Sequence, residues 1–490
     1  MSEEPSKDSM PQEVSVEEFF KEGLQAVNNP DADRSYPGCV KLQYQRRLSS
    51  EDARKIPVIL NTNTSVKKLC IWDISLSALS AAFDKLEDWG SLEELQILSV
   101  DCEGEQFCID LSGAFKNLRI LDLRCDSISS AFAETISSYL RETKSLRELS
   151  LWYSCGGDEG AAVIAEALKV NDTLKKLTLA PDAGELTSRT VVAIANALAV
   201  NSTLEVIDLF DTCSMEEEQV SFLFEQELYT DVFKRMLTLW KQEFLPQLTR
   251  LVREDRHYSQ VSVAVTASVD KDLLREFFDA VAASTTLRVL HFYPSDRCFD
   301  ELADGIASVV KRTTTLKEVQ NLMHVDDGCE QQLVRVLDAL KENRSVTTFT
   351  MYSEFVTPEI ASVLSELLAL NDTLCDMAIC EYWGINSDVV ETILQGLRRN
   401  YTLTKLMVSW DPDDSVEGIT EMEGLLERNA GLLCQAVNFV TGACTDSEAA
   451  DAAMKLQGSA GLVDRLKELT GKTAETVLTD IQDAVSGLLE

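Results

Sequence analysis

A leucine-rich phrase returns along this chain at near-constant spacing, and that return restricts the possible folds more than any single residue does. Its clearest copies read Ser145-Leu146-Arg147-Glu148-Leu149-Ser150-Leu151, Thr173-Leu174-Lys175-Lys176-Leu177-Thr178-Leu179 and Thr203-Leu204-Glu205-Val206-Ile207-Asp208-Leu209. Each is L-x-x-L-x-L with Leu or Ile at the apolar places, the last two alternating as on a strand with one buried face. Between the first two copies, Glu159–Val170 has helical periodicity and ends on Asn171. A strand and a helix recurring about every 28 residues predict stacked strand–helix units. Such stacking gives an α/β solenoid, a horseshoe with parallel strands on the concave wall and helices outside.

The first apolar place of each phrase falls at Val66, Leu92, Leu118, Leu146, Leu174, Leu204, Tyr258, Leu287, Leu316, Val346, Leu374, Leu403 and Leu432. The steps are 26 to 30 residues, except for one of 54 between Leu204 and Tyr258. Three places earlier stand Asn63, Asn171, Asn201, Asn343, Asn371, Asn400 and Asn429. Asn there fits the left-handed conformation that closes a helix. Two markers in one phase exclude chance periodicity. Some copies are irregular: Asn321 holds an apolar place, the Tyr258 copy uses Val261 and Val263, and Leu432–Val437 is weak and reads as a terminal cap.

The stretches Gly157–Leu179 and Ser188–Leu209, supported by Asn371–Leu374 and Asn400–Leu406, resemble the ribonuclease-inhibitor type of leucine-rich repeat. The resemblance covers about residues 55–440. It implies the horseshoe fold and a large protein-binding surface, but many partners are served by this repeat. The same type forms the sensing end of nucleotide-binding, leucine-rich receptors of innate immunity. Those receptors carry a nucleotide-binding module, and this chain has no G-x-x-x-x-G-K-[ST] loop: Gly471-Lys472-Thr473 ends like one, but Leu466 stands where Gly is required.

The 490 residues carry 82 acids against 45 bases, a net charge of −37 spread along the chain. That field disfavours nucleic acid and anionic membrane, and steers a basic protein partner; it also keeps a long repeat protein soluble. The 13 cysteines form no C-x-x-C pair, no leading apolar run resembles a signal peptide, and no stretch approaches a membrane span. Reduced thiols in a cytoplasmic protein are the expectation.

His257, His291 and His324 lie in different repeats, none with a Cys or His at metal-ligand spacing, and no G-x-S-x-G elbow occurs. We therefore expect no catalytic residues, no metal and no cofactor. The binding surface is expected on the strands. The place after the third apolar residue holds Trp72, Arg124, Trp152, Ala180, Phe210, Tyr293, Tyr352, Cys380 and Ser409, with Trp410 one place further. In register, Trp72, Trp152, Phe210, Tyr293 and Tyr352 would form an aromatic stripe suited to interface contact, or else fold back to complete the core. Asp122, Glu148 and Asp208 face the same wall and could pair with Lys or Arg of a partner.

The long step contains Met215–Asp255, an apolar-rich helical stretch that Pro246 should break or kink. It either packs on the outer wall or offers a groove-binding face. The expected domains are a disordered leader 1–13, an N-terminal helical cap 14–60, a solenoid 61–443 with the insertion 215–255, and a C-terminal helical cap 444–490. The functional expectation is a non-catalytic scaffold binding a protein on an acidic, aromatic concave face. The competing class is a regulator of an enzyme, either a ribonuclease inhibitor or a small-GTPase activator such as the Ran GTPase-activating proteins, which use the same repeat type.

Overall fold

The computed structural model describes residues 39–43, 50–56, 58 and most of 66–486; within the last range, 84–90, 102–110, 112–114, 126–129, 154, 182–184, 210–212, 230, 255–257, 295–299, 326–329, 354–355, 382–386 and 409–415 are not described. The chain divides into two compact units, Met1–Leu239 and Trp240–Glu490. Both are built from parallel strands joined through helices.

In the first unit β1 (Cys39–Gln43), β2 (Lys68–Ser75), β3 (Glu94–Asp101), β4 (Ile120–Cys125), β5 (Glu148–Tyr153), β6 (Lys176–Pro181), β8 (Val206–Asp208) and β10 (Met236–Leu237) pair in that order. A separate two-stranded ladder joins β7 (Leu186–Thr187) to β9 (Cys213–Ser214). In the second unit β11 (Leu239–Lys241), β12 (Gln260–Val265), β13 (Val289–Pro294), β14 (Glu318–Val325), β15 (Thr348–Ser353), β16 (Asp376–Glu381) and β17 (Lys405–Val408) follow one another without crossing.

The apolar places of the phrase are why one side of each sheet is core. Leu121 and Leu123 of β4, Leu149 and Leu151 of β5, and Val261 and Val263 of β12 are at most 1% exposed, while the residues alternating with them are half-buried. The helices cover the buried side. Where they cross closely only glycine fits: a Cβ on Gly396 would lie 2.1 Å from the Ser365 carbonyl oxygen. The opposite, open side carries the polar residues of the phrase.

The asparagine marker is real, but its physical reason differs from the expected one. Asn201 and Asn371 are extended, at φ −84° and −90°, not left-handed. Their side chains stitch neighbouring repeats. The Asn371 Oδ1 accepts from Thr373 N and Leu374 N, both at 2.8 Å. Its Nδ2 donates to Leu340 O at 2.8 Å and Asn343 O at 3.1 Å. Asn201 and Asn400 repeat the arrangement. A carboxamide donates through Nδ2 and accepts through Oδ1 from one short planar group, which explains the choice. Thr143, Ser284 and Thr313 hold the same place elsewhere and accept the two backbone N–H groups through a hydroxyl.

Four local expectations are corrected. Residues 14–60 include a strand, β1, paired in register with β2; its phrase was hidden because Pro37 stands at the first apolar place. The insertion holds a further strand rather than helix alone. Met236 pairs with Ile207, so the missing phrase starts at Phe233 and the 54-residue step is really two. Pro246 sits in the first turn of the helix Leu245–Arg253 and starts it, its absent N–H being no loss there. The phrase at Leu432 lies inside the long helix Val416–Val440. With the helices Ser447–Leu456, Ala460–Thr470 and Ala474–Ser486 it builds a separate small core around Ala436, Leu456, Leu462 and Ile481. That bundle reaches back to the strand starts, where Asp464 meets Lys317 at 3.5 Å.

At two irregular joints an arginine joins the wiring. In the Phe233 repeat, which has no such amide, the Arg235 guanidinium donates to Asn201 O at 2.5 Å, to Leu204 O at 3.1 Å and to Leu198 O. In the long helix, Arg428 donates to Asn400 O and to Arg398 O at 3.3 Å. The flat, multi-donor head of arginine suits this role.

Candidate partner-binding face

The open side of the first sheet gathers the strongest chemistry. Register places Trp72, Leu98, Arg124, Trp152 and Ala180 in one row across β2 to β6, and Cys70, Gln96, Asp122, Ser150, Thr178 and Asp208 in the row beside it. Lys68, Glu94, Ile120, Glu148 and Lys176 make a third row. These residues occupy the odd places of strands whose even places are apolar; Gln96, Asp122, Arg124, Glu148, Ser150, Trp152 and Asp208 are half-buried there, while Cys70, Leu98, Thr178 and Ala180 are buried.

Three of them form a cluster. The Arg124 guanidinium lies 4.8 Å from the Trp152 ring centroid, a cation–π contact, and donates to Asp122 Oδ2 at 3.3 Å. The Asp122 side chain is 13% exposed and that of Arg124 40%. Burial pushes the Asp122 carboxyl above its ordinary range, against the lowering effects of the Arg124 charge and hydrogen bond. Lys68 pairs with Glu94, which also accepts from Gln96 Nε2 at 2.9 Å. At the end of β5, Tyr153 has φ 71° and is 45% exposed. A left-handed non-glycine residue stores local strain of about 1–3 kcal/mol, and such residues concentrate at working surfaces.

The open side of the second sheet is different. His291 of β13 has Glu318 Oε1 3.0 Å from its Nε2 and Ser262 Oγ 3.4 Å from its Nδ1. The hydrogen bond from His291 holds the Glu318 carboxyl below its ordinary range despite partial burial. The Tyr293 ring stands edge-on to His291 at 6.5 Å.

Of the residues singled out in the sequence, Asp122, Arg124 and Trp152 are brought into direct contact. Glu148 and Asp208 are half-buried on the same sheet, Glu148 in a flanking row and Asp208 in the Asp122 row three strands further on. Tyr293 is half-buried in the second unit. Trp72 and Tyr352 have their backbones on the expected strands, paired with Leu98 and Cys380, but their side chains lie outside what is described. Phe210 and Trp410 lie outside the described residues altogether. Glu94, Gln96, Tyr153 and the Ser262–His291–Glu318 group were not expected from the sequence. All but Tyr153 share the outward parity of the phrase, a signal that could have found them.

Among the described residues no group of His, Cys, Asp and Glu could hold a metal ion, and no helix is long and apolar enough to cross a membrane. No protein-family model matches the chain. The chain is 30% identical over 183 residues to the Mus musculus protein "NACHT, LRR and PYD domains-containing protein 4B", covering 34% of this chain and 21% of that protein. It thus spans about a fifth of that relative's length. Among solved structures, leiomodin-1 actin-binding site 2 gives a TM-score of 0.26 at 16% identity, over 39% of this chain and 91% of that one. The Caenorhabditis elegans tropomodulin C-terminal domain gives 0.24 at 15%, over 38% and 93%. TM-scores this low carry no argument about function. What stands is a chain similar, over about a third of its length, to a protein carrying leucine-rich repeats, with parallel sheets and helices compatible with that fold.

Proposed function

We propose that this protein is a non-catalytic binding scaffold whose sheets line the concave walls of leucine-rich-repeat solenoids, and that it holds a protein partner on the open face of the first unit. The observation that carries the reading is the Asp122–Arg124–Trp152 cluster, partly buried with the Arg124 side chain 40% exposed, beside the strained and exposed Tyr153. Rigid aromatic area next to fixed charge is what interface hot spots are made of. The similarity to a leucine-rich-repeat protein supports the same class. The net charge of −37 favours a basic partner, whose capture weakens with salt.

The test is affinity capture at low and high salt, with wild type beside a Trp152→Ala/Tyr153→Ala variant and an Asp122→Asn variant, each checked for fold by circular dichroism. A protein retained by wild type and lost from the aromatic variant supports the reading. Identical capture by all three sinks it.

A further inference from the structure

Residues 215–235, the helical part of the repeat that begins at Leu204, leave a groove against the preceding helix on the helix-covered side of the first unit. Val192, Ala193, Ala199 and Val200 of the helix Ser188–Val200 form one part of its lining, and Gln219 and Leu228 of that segment another; its volume is about 700 Å³. Most apolar residues of that segment are buried, Val220, Leu223, Phe224 and Phe233 among them. Leu228 is not.

Large apolar side chains exposed to solvent are few among the described residues, and four of ten gather here. Val170 and Val200 are each 65% exposed, Leu228 60% and Phe222 37%. Val170 follows Lys169, which lines the groove, and the Phe222 ring meets Tyr229, next to Leu228, edge-on at 6.3 Å. The fold itself does not demand this. Val170 and Val200 stand directly before Asn171 and Asn201, and in the second unit that place is held by Glu342, Leu370 and Arg399. Charged and apolar residues are thus equally acceptable to the architecture. The flank is acidic: Glu216, Glu217, Glu218, Glu225 and Glu227 are all exposed around Phe222 and Leu228. Of the nearby bases, Lys169 and Lys234 are paired with Glu166 and Asp231, and exposed Arg189 also lines the groove, one base against the five glutamates.

We propose that this groove docks an amphipathic helix of a basic partner protein, its apolar face on Val200 and Leu228 and its Lys or Arg residues against the glutamates. Helix-in-groove recognition needs this combination of an apolar floor and a charged border of opposite sign. A second copy of the chain fits poorly, because at −37 each the two copies repel.

The probe is a synthetic Leu/Lys peptide patterned for one apolar helical face, compared by fluorescence anisotropy with a shuffled peptide of equal composition. The proteins are wild type, Val200→Ser/Leu228→Ser and Asp122→Asn. Both groove substitutions are on the surface and should leave the fold intact. We expect the patterned peptide to bind wild type at least about tenfold tighter than the shuffled one, and the groove variant to lose about tenfold, with Asp122→Asn unchanged. Equal binding of the two peptides assigns the affinity to charge alone and overturns the proposal. Undiminished binding to the groove variant overturns it too. So does a wild-type dimer in sedimentation that the groove variant dissolves, since the occupant would then be a second copy.

Discussion

The two units are built from one phrase and present different open faces. In the first, Arg124, Asp122 and Trp152 lock together beside Glu94 and Lys68. In the second, the corresponding rows hold Ser262, His291, Gln320 and Thr350, with Gln260, Glu318 and Thr348 alongside. The apolar places are constrained by the core, so the intervening odd places are where two stretches of a repeat protein diverge. The carboxylates make the point sharply. Asp122 is pushed up by burial, while Glu318 is pulled down by a hydrogen bond from His291.

The largest effect tests what the units share. Asn371→Ala removes four side-chain hydrogen bonds in a buried seam and leaves backbone groups without partners. It should destabilise the second unit by about 3 kcal/mol, read from urea unfolding. Asn371→Thr keeps the acceptor and should recover part of that. If alanine at this position is tolerated within about 0.5 kcal/mol, the stitching account fails.

Next comes the arginine seam. Arg235→Met keeps the length and removes three donations to backbone carbonyls; a loss of about 2 kcal/mol confined to the first unit is expected. Amide hydrogen exchange should quicken around Leu198–Leu204 and not at the Asn371 seam. Uniform exchange across both units would contradict it.

A smaller effect concerns strain. Tyr153→Gly relieves the left-handed cost of about 1 kcal/mol at φ 71° and should raise the stability of the first unit slightly, while removing an exposed ring from the proposed contact face. A drop in thermal midpoint would show that the Tyr153 ring packs rather than waits.

The two carboxylates should respond to pH with opposite slopes. The folded value of Asp122 is raised, so its contribution is full below about pH 4 and is lost as pH rises through the folded value. Asp122→Asn should therefore improve relative to wild type as pH rises. The folded value of Glu318 is lowered, so its contribution is present above about pH 4.3 and is lost as pH falls through the folded value. Glu318→Gln should fall behind wild type as pH rises. Solvent screens the Glu318 site, so that difference stays below about 1 kcal/mol. Urea midpoints across the acid range decide it, and slopes of the same sign would refute the contrast.

Least in energy but easy to read is thiol reactivity. Burial pushes the Cys155 and Cys213 thiols up to about 12. Iodoacetamide at neutral pH should spare both in the folded protein and label exposed Cys434 before either.

Much of this fold was legible because a buried strand face needs apolar residues at every second place, and Leu121, Leu149, Leu177 and Ile207 supply them at a steady interval. Legibility ended where another residue held a key place. Pro37 concealed β1, and Phe233 with Arg235 concealed the extra repeat. At Leu432 the apolar spacing suits strand and helix alike, and only the packing against Leu456 and Ile481 decided for helix. The site was legible in its parity but not in its contacts. That Arg124 lies over Trp152 depends on the register of β4 against β5, which sets residues 28 apart side by side.

The seams carry a consequence for how such a chain can change in length. Each asparagine amide serves its own turn and the carbonyls of the repeat before it, so a deletion inside one repeat orphans groups in two. Duplicating or removing whole repeats of 28 to 30 residues preserves every connection, and that is the route of change this wiring permits most readily. The two arginine seams fall on steps of 29 residues, so length does not call for them: Arg235 serves a repeat that lacks the asparagine, and Arg428 a place where a helix stands instead of a strand. At both places the guanidinium reaches carbonyls of the repeat before, so a repeat gained or lost there would have to keep its arginine as the others keep their asparagine.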